Sequence, residues 1–323
     1  MPTRITLAAA ALLAAYAAAA AATPAAAQPE PLPPVVGRWD LTATAANGST
    51  VPAWLEVERS GNHTLVGRVV FIFGSARPIG RVDFADGALR FAVPPQYDAG
   101  DGDLRFEGKL DGGGDRLAGT LTTPSGERMT WAGVRAPKLR RDGAPRWGAP
   151  VSLVGRDLTG WTTQGNGQNK WRVADGVLTA GGGGANLRTT RTFDDFKLHL
   201  EFRYPKGSNS GVYLRGRHEV QIEDDEGLAD PDSHGLGGVY GFLVPNEHAG
   251  RGPNEWQTYD ITLVGRRVTV VLNGHPVIVD QIIPGITGGA IDSDEGAPGP
   301  ILLQGDHGAV EFRNVVITPA ARR

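Results

Sequence analysis

The chain contains no cysteine. That absence removes a disulfide framework, a thiolate metal site, a cysteine nucleophile and an acylated-cysteine membrane anchor together. An excess of one charge sign is also missing. The formal net charge of −3 over 323 residues leaves no basic surface of the kind a nucleic-acid partner requires. Helical periodicity is scarce, since apolar residues do not recur at three- and four-residue spacing over any long window. Beyond residue 22 no apolar run is long enough to cross a bilayer. What the chain has instead is glycine, 46 residues, and proline, 23 residues. Such a composition favours many short strands joined by tight turns, and the length suits two domains and a leader.

The leader is expected over residues 1–27. Arg4 supplies a positive start, Ile5 to Ala22 is almost continuously apolar, and Ala25-Ala26-Ala27 offers small residues for cleavage before Gln28. This reads as a signal peptide that sends the mature chain to the periplasm or the medium. A retained anchor is the alternative, because the run is about long enough to span. Residues 28–35 are proline-rich and read as a linker.

Residues 36–139 form a first β-rich block. Trp39, Leu41, Trp54, Leu55, Val57, Leu65, Val69 and Phe71 mark its early strands. The segments from Leu104 to Leu110 and from Leu117 to Leu121 alternate apolar with polar or small residues around a glycine turn at Gly112 to Gly114, the pattern of a meander. About eight strands fit, enough for a small antiparallel barrel or half-barrel. No catalytic constellation stands out, so the block is expected to be an accessory domain. Residues 140–150 lack periodicity and mark a second linker.

From residue 151 to 319 the strand signals sharpen. Ala174-Asp175-Gly176 separates two short apolar runs, and Asn273-Gly274 carries the strongest two-residue hairpin signal. About a dozen strands and no helix point to two antiparallel sheets packed face to face. Phe196, Leu198, Leu200, Phe202 and Tyr204 alternate with Lys197, His199, Glu201 and Arg203, so the first set is core and the second points outward. By the same alternation Val212, Leu214, Val220 and Ile222 are core, while Tyr213, Arg215, Glu219, Gln221 and Glu223 point outward. The short links Pro205 to Asn209 and Gly216-Arg217 suggest that the three strands are antiparallel neighbours. One outer face would then carry an array of ionisable and hydrogen-bonding groups, with space left at Gly211. Glu219 and Glu223 lie about 13 Å apart along a strand at about 3.3 Å per residue. A retaining glycosidase needs its carboxyl groups about 5–5.5 Å apart, so that pairing does not fit.

Seven segments occur in an ordered series: Leu158-Thr159-Gly160-Trp161, Asn209 to Gly216, Glu219 to Asp224, Gly238-Val239-Tyr240-Gly241, Glu255 to Tyr259, Val271-Leu272-Asn273-Gly274 and Gln304-Gly305-Asp306-His307-Gly308. Together they resemble the 3-keto-disaccharide hydrolase family over about residues 151–318. The resemblance implies a concanavalin-like jelly roll, export, and cleavage of 3-keto-glucosides by lyase and hydratase steps that sum to hydrolysis.

Such a substrate sets its own chemical demands. A ketone at C3 acidifies the proton at C2. A base removes it, a donor stabilises the enolate, and an acid assists departure at C1. Glu219 or His307 is the candidate base, Arg215 the enolate partner and His234 the acid. Glu201, Tyr213, Gln221, Glu223, Tyr240 and Gln304 are candidates for binding the sugar. Asp224 and Asp225 open an acidic loop whose oxygens would suit a divalent cation such as calcium. A non-catalytic, lectin-like carbohydrate-binding protein is the competing expectation.

Overall fold

The computed structural model describes residues 31–321, and the leader expected over residues 1–27 lies outside the described residues. Every regular element described is a β-strand. The first eight are β1 (Gly37–Thr44), β2 (Thr50–Ser60), β3 (Thr64–Val70), β4 (Arg77–Ala85), β5 (Ala88–Val93), β6 (Leu104–Leu110), β7 (Arg116–Thr122) and β8 (Arg128–Arg135). They close into an antiparallel barrel in sequence order. Closure is made by β1 pairing with β8, Leu41 opposite Gly133. Closure removes the unpaired edges that an open meander would expose. Inward residues fill the lumen: Phe106 stacks on Phe91 at 4.8 Å and meets Trp131 at 5.8 Å. The barrel is thus a packed core rather than a pore.

The remaining strands are β9 (Val151–Ser152), β10 (Trp161–Gln164), β11 (Trp171–Ala174), β12 (Val177–Ala180), β13 (Asn186–Thr189), β14 (Phe196–Arg203), β15 (Asn209–Leu214), β16 (His218–Glu223), β17 (Gln257–Val264), β18 (Arg267–Leu272), β19 (His275–Ile282), β20 (Leu302–Leu303) and β21 (Val310–Pro319). They make two sheets. One has five strands in the order β10-β13-β20-β15-β16, and the other has eight, running β11-β12-β21-β14-β17-β18-β19 with β9 paired to β21. Leu198, Leu200, Ile261 and Val270 from the larger sheet meet Val212, Val220, Ile222 and Leu303 from the smaller in one core. Each such side chain is worth roughly 1.5–3 kcal/mol when buried, so a one-residue slip in any strand is strongly disfavoured.

The expected facing of β14 holds, but its neighbours differ from expectation. β14 pairs with β17 and β21, not with β15. Pro205 to Ser208 carries the chain from one sheet to the other. A link of that length can close a hairpin or step across a sandwich, and alternation alone does not distinguish the two.

Barrel and sandwich belong to one compact unit that starts at Pro34. Trp54 and Val70 of the barrel pack with Ile286 and Ala290 of the sandwich, and Phe242 meets the Trp54 ring edge-on at 5.4 Å. The segment between β19 and β20 makes further contacts. Its Gly289 amide donates to the Ile72 carbonyl at 3.0 Å, and its Ser293 hydroxyl lies 3.0 Å from that of Thr42.

Candidate active site

The outward faces of β15 and β16 are not solvated. Tyr213, Glu219 and Gln221 are all buried, because the β19–β20 segment and two barrel loops cover them. Between sheet and cover lies a cavity of about 460 Å³, within the usual range of about 300–1,000 Å³ for small-molecule sites. Glu219, Tyr213, Gln221, Asn209, Asn186, Gln304, Asp306, His307 and Tyr240 line it from the sandwich, and Phe73, Gly74 and Tyr97 line it from the barrel.

Antiparallel register sets Tyr213 directly opposite Glu219, so both project from the same face. The Tyr213 hydroxyl lies 2.9 Å from Glu219 Oε2 and 3.0 Å from the Gly288 carbonyl. Gly211, one pleat away on β15, admits the carboxylate, since a Cβ there would collide with it. Gly289 does the same for the tyrosine: it stands at φ 76° and has no Cβ to strike the phenol oxygen. The Glu219 backbone is fixed as well, its amide donating to Thr287 Oγ1 at 3.0 Å. Burial pushes the Glu219 carboxyl from its ordinary 4.5 up to about 8, against the opposing hydrogen bond from Tyr213 and with help from the charges of Asp306 and Glu223.

Across the cavity, His307 Nδ1 is 2.7 Å from Asp306 Oδ1. That hydrogen bond raises the imidazole above its ordinary value, outweighing partial burial. Burial pushes Asp306 up, yet the bond and charge of His307 prevail and leave it below the usual carboxylate range. Asn186 holds this turn, with Oδ1 accepting from the Gly305 amide at 2.7 Å and Nδ2 donating to Asp306 at 3.1 Å. Two side-chain carbonyl oxygens on the cavity wall, Gln221 Oε1 and Gln304 Oε1, are buried without a partner. Unpaired buried acceptors are costly.

The sequence-derived candidates divide. Glu219, Tyr213, Gln221, Tyr240, Gln304 and His307 come together around the cavity. Glu223 stands beside it, accepting from Gln221 Nε2 at 2.8 Å and Asn209 Nδ2 at 2.7 Å, and burial raises its carboxyl despite those bonds. Glu201 is on the other sheet, 2.6 Å from Arg313, because β14 does not pair with β15. Arg215 is not outward on a strand. It falls in the β15–β16 turn at φ 53°, and its buried guanidinium donates to Asp195 at 3.0 Å and to the Asp194 and Gly265 carbonyls. That network lies outside the cavity lining, so Arg215 cannot meet an enolate there. His234 packs against the far side of the site, edge-on to the Tyr240 ring at 4.9 Å, and does not line the cavity. Asp224 and Asp225 accept from the Gly207 and Leu236 amides at 2.6 and 3.2 Å, so both are committed to loop structure. Among the described residues no group of three or more histidine and acidic side chains is arranged to hold a metal ion.

Phe73 and Tyr97 were not among the sequence candidates. Nothing in their local sequence distinguishes them from ordinary loop residues. Asn186 has no motif around it, and Asn209 and Asp306 lie within the family-like segments 209–216 and 304–308, whose sequence alone gives them no role.

The fold is an all-β sandwich with an acid-bearing cavity on one sheet, and the sequence assigns its class. Residues 149–318 match the 3-keto-alpha-glucoside-1,2-lyase-like domain. The match spans more than half of the 323 residues, and the chain belongs to that family. Similar solved structures include two from Parabacteroides distasonis ATCC 8503, each provisionally named a glycosyl hydrolase. One is 27% identical, covers 55% of this chain and 92% of its own, and has a TM-score of 0.47. The other is 26% identical, covers 53% and 98%, and has a TM-score of 0.42. The carbohydrate-binding module CBM66 from Bacillus subtilis is 16% identical, covers 49% and 95%, and has a TM-score of 0.34. No curated protein matches the chain.

Proposed function

We propose that this protein is an exported enzyme that cleaves 3-keto-glycosides by elimination and rehydration. The observation that carries the reading is Glu219. It is a buried carboxyl on a cavity wall, bonded to a tyrosine and raised to about 8, in a lining that also holds the Asp306–His307 pair and several neutral hydrogen-bonding groups. A base whose pKa lies near the operating pH is suited to removing a carbon-bound proton.

In this reading Glu219 takes the proton at C2 of the sugar. The C2–H electrons move into a C2–C3 double bond and the ketone oxygen becomes an enolate. When the C3 ketone re-forms, the pair moves to C1–C2 and the C1–O bond breaks. The protonated His307, sustained by Asp306, donates to the departing oxygen, giving a free alcohol and an unsaturated 3-keto sugar. Water then adds across C1–C2, its proton going to C2 and its hydroxyl to C1. Gln221 and Gln304 line the cavity and serve as the polar wall for the sugar. Glu223 orients Gln221 rather than touching substrate. Arg215 and His234 have no part in this scheme.

Export is part of the same proposal and rests on the apolar Ile5 to Ala22 run and the alanines that follow it. Sequencing the N-terminus of the mature protein tests it, and retention of Met1 would count against export. Incubating pure protein with 3-keto-trehalose and with trehalose, followed by product analysis, tests the activity. Cleavage of the keto sugar alone is the expected result, and binding without cleavage would favour the lectin-like alternative.

A further inference from the structure

Eight large hydrophobic side chains are exposed among the described residues, and only Phe73 and Tyr97 of these are aromatic, at 61% and 66% exposure. Both line the cavity that holds Glu219, and both come from the barrel, which lies outside the family match at 149–318. A singly exposed apolar side chain is ordinary, whereas exposed apolar side chains that gather at one place mark an interaction site, and here both exposed aromatic rings lie at one cavity. The loops that carry them are held in place. Arg77, itself buried, donates to Asp98 at 2.9 Å and to the Pro94 carbonyl at 3.1 Å, which fixes the β5–β6 loop. Gln96 Nε2 donates to Ser75 Oγ at 3.2 Å, tying that loop to the one bearing Phe73. The Gly289 amide anchors the Phe73 loop to the sandwich through the Ile72 carbonyl.

From this placement we infer that Phe73 and Tyr97, which belong to the barrel, form the stacking subsite on which the ring of a sugar leaving group rests. The reacting ring must reach Glu219, which is buried. The two exposed rings lie nearer solvent, where the group beyond C1 extends. A pyranose presents a face of C–H bonds that packs on an aromatic ring, whereas a methyl group covers almost none of it. The barrel is thereby part of the active site rather than an accessory.

The inference takes its substrate class from the elimination reading, and its test separates the two. The measured quantity is kcat/KM for 3-keto-trehalose divided by kcat/KM for methyl 3-keto-glucoside. Tyr97→Ala and Phe73→Ala should each lower that ratio by about tenfold. Tyr97→Phe, which keeps the ring, should restore it to within about twofold. Gln304→Ala should depress both substrates and leave the ratio nearly unchanged. An unaltered ratio in both alanine variants overturns the subsite. If wild-type protein cleaves neither substrate, the elimination reading fails alone. Calorimetric titration with trehalose and methyl glucoside then decides the inference: a preference for the disaccharide that the alanine variants lose supports it, and equal affinities overturn it.

Discussion

The Tyr213 hydroxyl lies 2.9 Å from Glu219 Oε2 and 3.0 Å from the Gly288 carbonyl, so its one proton can serve two acceptors. With Glu219 ionised, Tyr213 donates to the carboxylate. With Glu219 protonated, the carboxyl donates to the phenol oxygen and Tyr213 turns to Gly288. The pair accommodates both states of the proposed base without moving a heavy atom. Tyr213→Phe removes the bond that lowers the Glu219 pKa. The pH optimum of kcat/KM should therefore move to higher pH in that variant, and an unmoved profile would separate Tyr213 from the titrating group.

Glu219→Gln keeps the shape and removes the base. Turnover should fall by about a thousandfold, the middle of the range for general acid–base groups, while trehalose binding persists. Turnover at the wild-type level would take Glu219 out of the mechanism.

The same substitution should stabilise the protein. In the fold the Glu219 carboxyl titrates near 8 rather than its ordinary 4.5. As pH rises between those values, the unfolded chain releases its proton while the folded chain keeps it. Stability is therefore lost progressively across that window, by at most about 5 kcal/mol above it. Glutamine carries no such penalty. Glu219→Gln and wild type should melt together near pH 4, and the variant should melt higher at pH 8. Parallel melting curves at both pH values would contradict the raised pKa.

Asp306 keeps His307 protonated to higher pH. Asp306→Asn should move the pH optimum of kcat/KM to lower pH, since the acid then loses its proton earlier. A pH–rate series on the two proteins reads this directly, and coincident profiles would remove His307 from the acid role.

Much of the fold is legible in the sequence where a local rule decides it. Asn273 and Gly274 take φ 52° and 85° between β18 and β19, the left-handed pair a two-residue hairpin needs. The alternation of Phe196 to Arg203 correctly separates core from outward residues. Which sheet β14 joins is a different matter. It depends on where the chain goes after Pro205, and long-range pairing leaves no mark in the local pattern. Glu201 lies on the other sheet for that reason. Strand alternation stops at Leu214, and Arg215 lies in the turn beyond it. Tyr213, Glu219 and Gln221 lay within strands, where alternation gave their facing. Phe73 and Tyr97 reach the site only through contact between barrel and sandwich, which no single segment encodes.

Arg215 should prove to be a stability residue. Truncation to alanine leaves the Asp194 and Gly265 carbonyls and Asp195 short of a buried donor, a loss of about 3 kcal/mol or more. Arg141, 2.7 Å from Asp195, softens the effect. Thermal melts should show a clear drop for Arg215→Ala. The protein that remains folded should keep the wild-type KM, and a raised KM with unchanged melting would return Arg215 to the site.

The most direct test of the central claim is the isotopic content of the product. Wild-type protein is incubated in deuterium oxide with 3-keto-trehalose and, separately, with trehalose, and the released sugar is examined by mass spectrometry and proton NMR. Free 3-keto-glucose under the same conditions gives the background exchange. The account predicts cleavage of 3-keto-trehalose alone, with deuterium at C2 above background. Efficient cleavage of trehalose, with protium retained at C2, would contradict it.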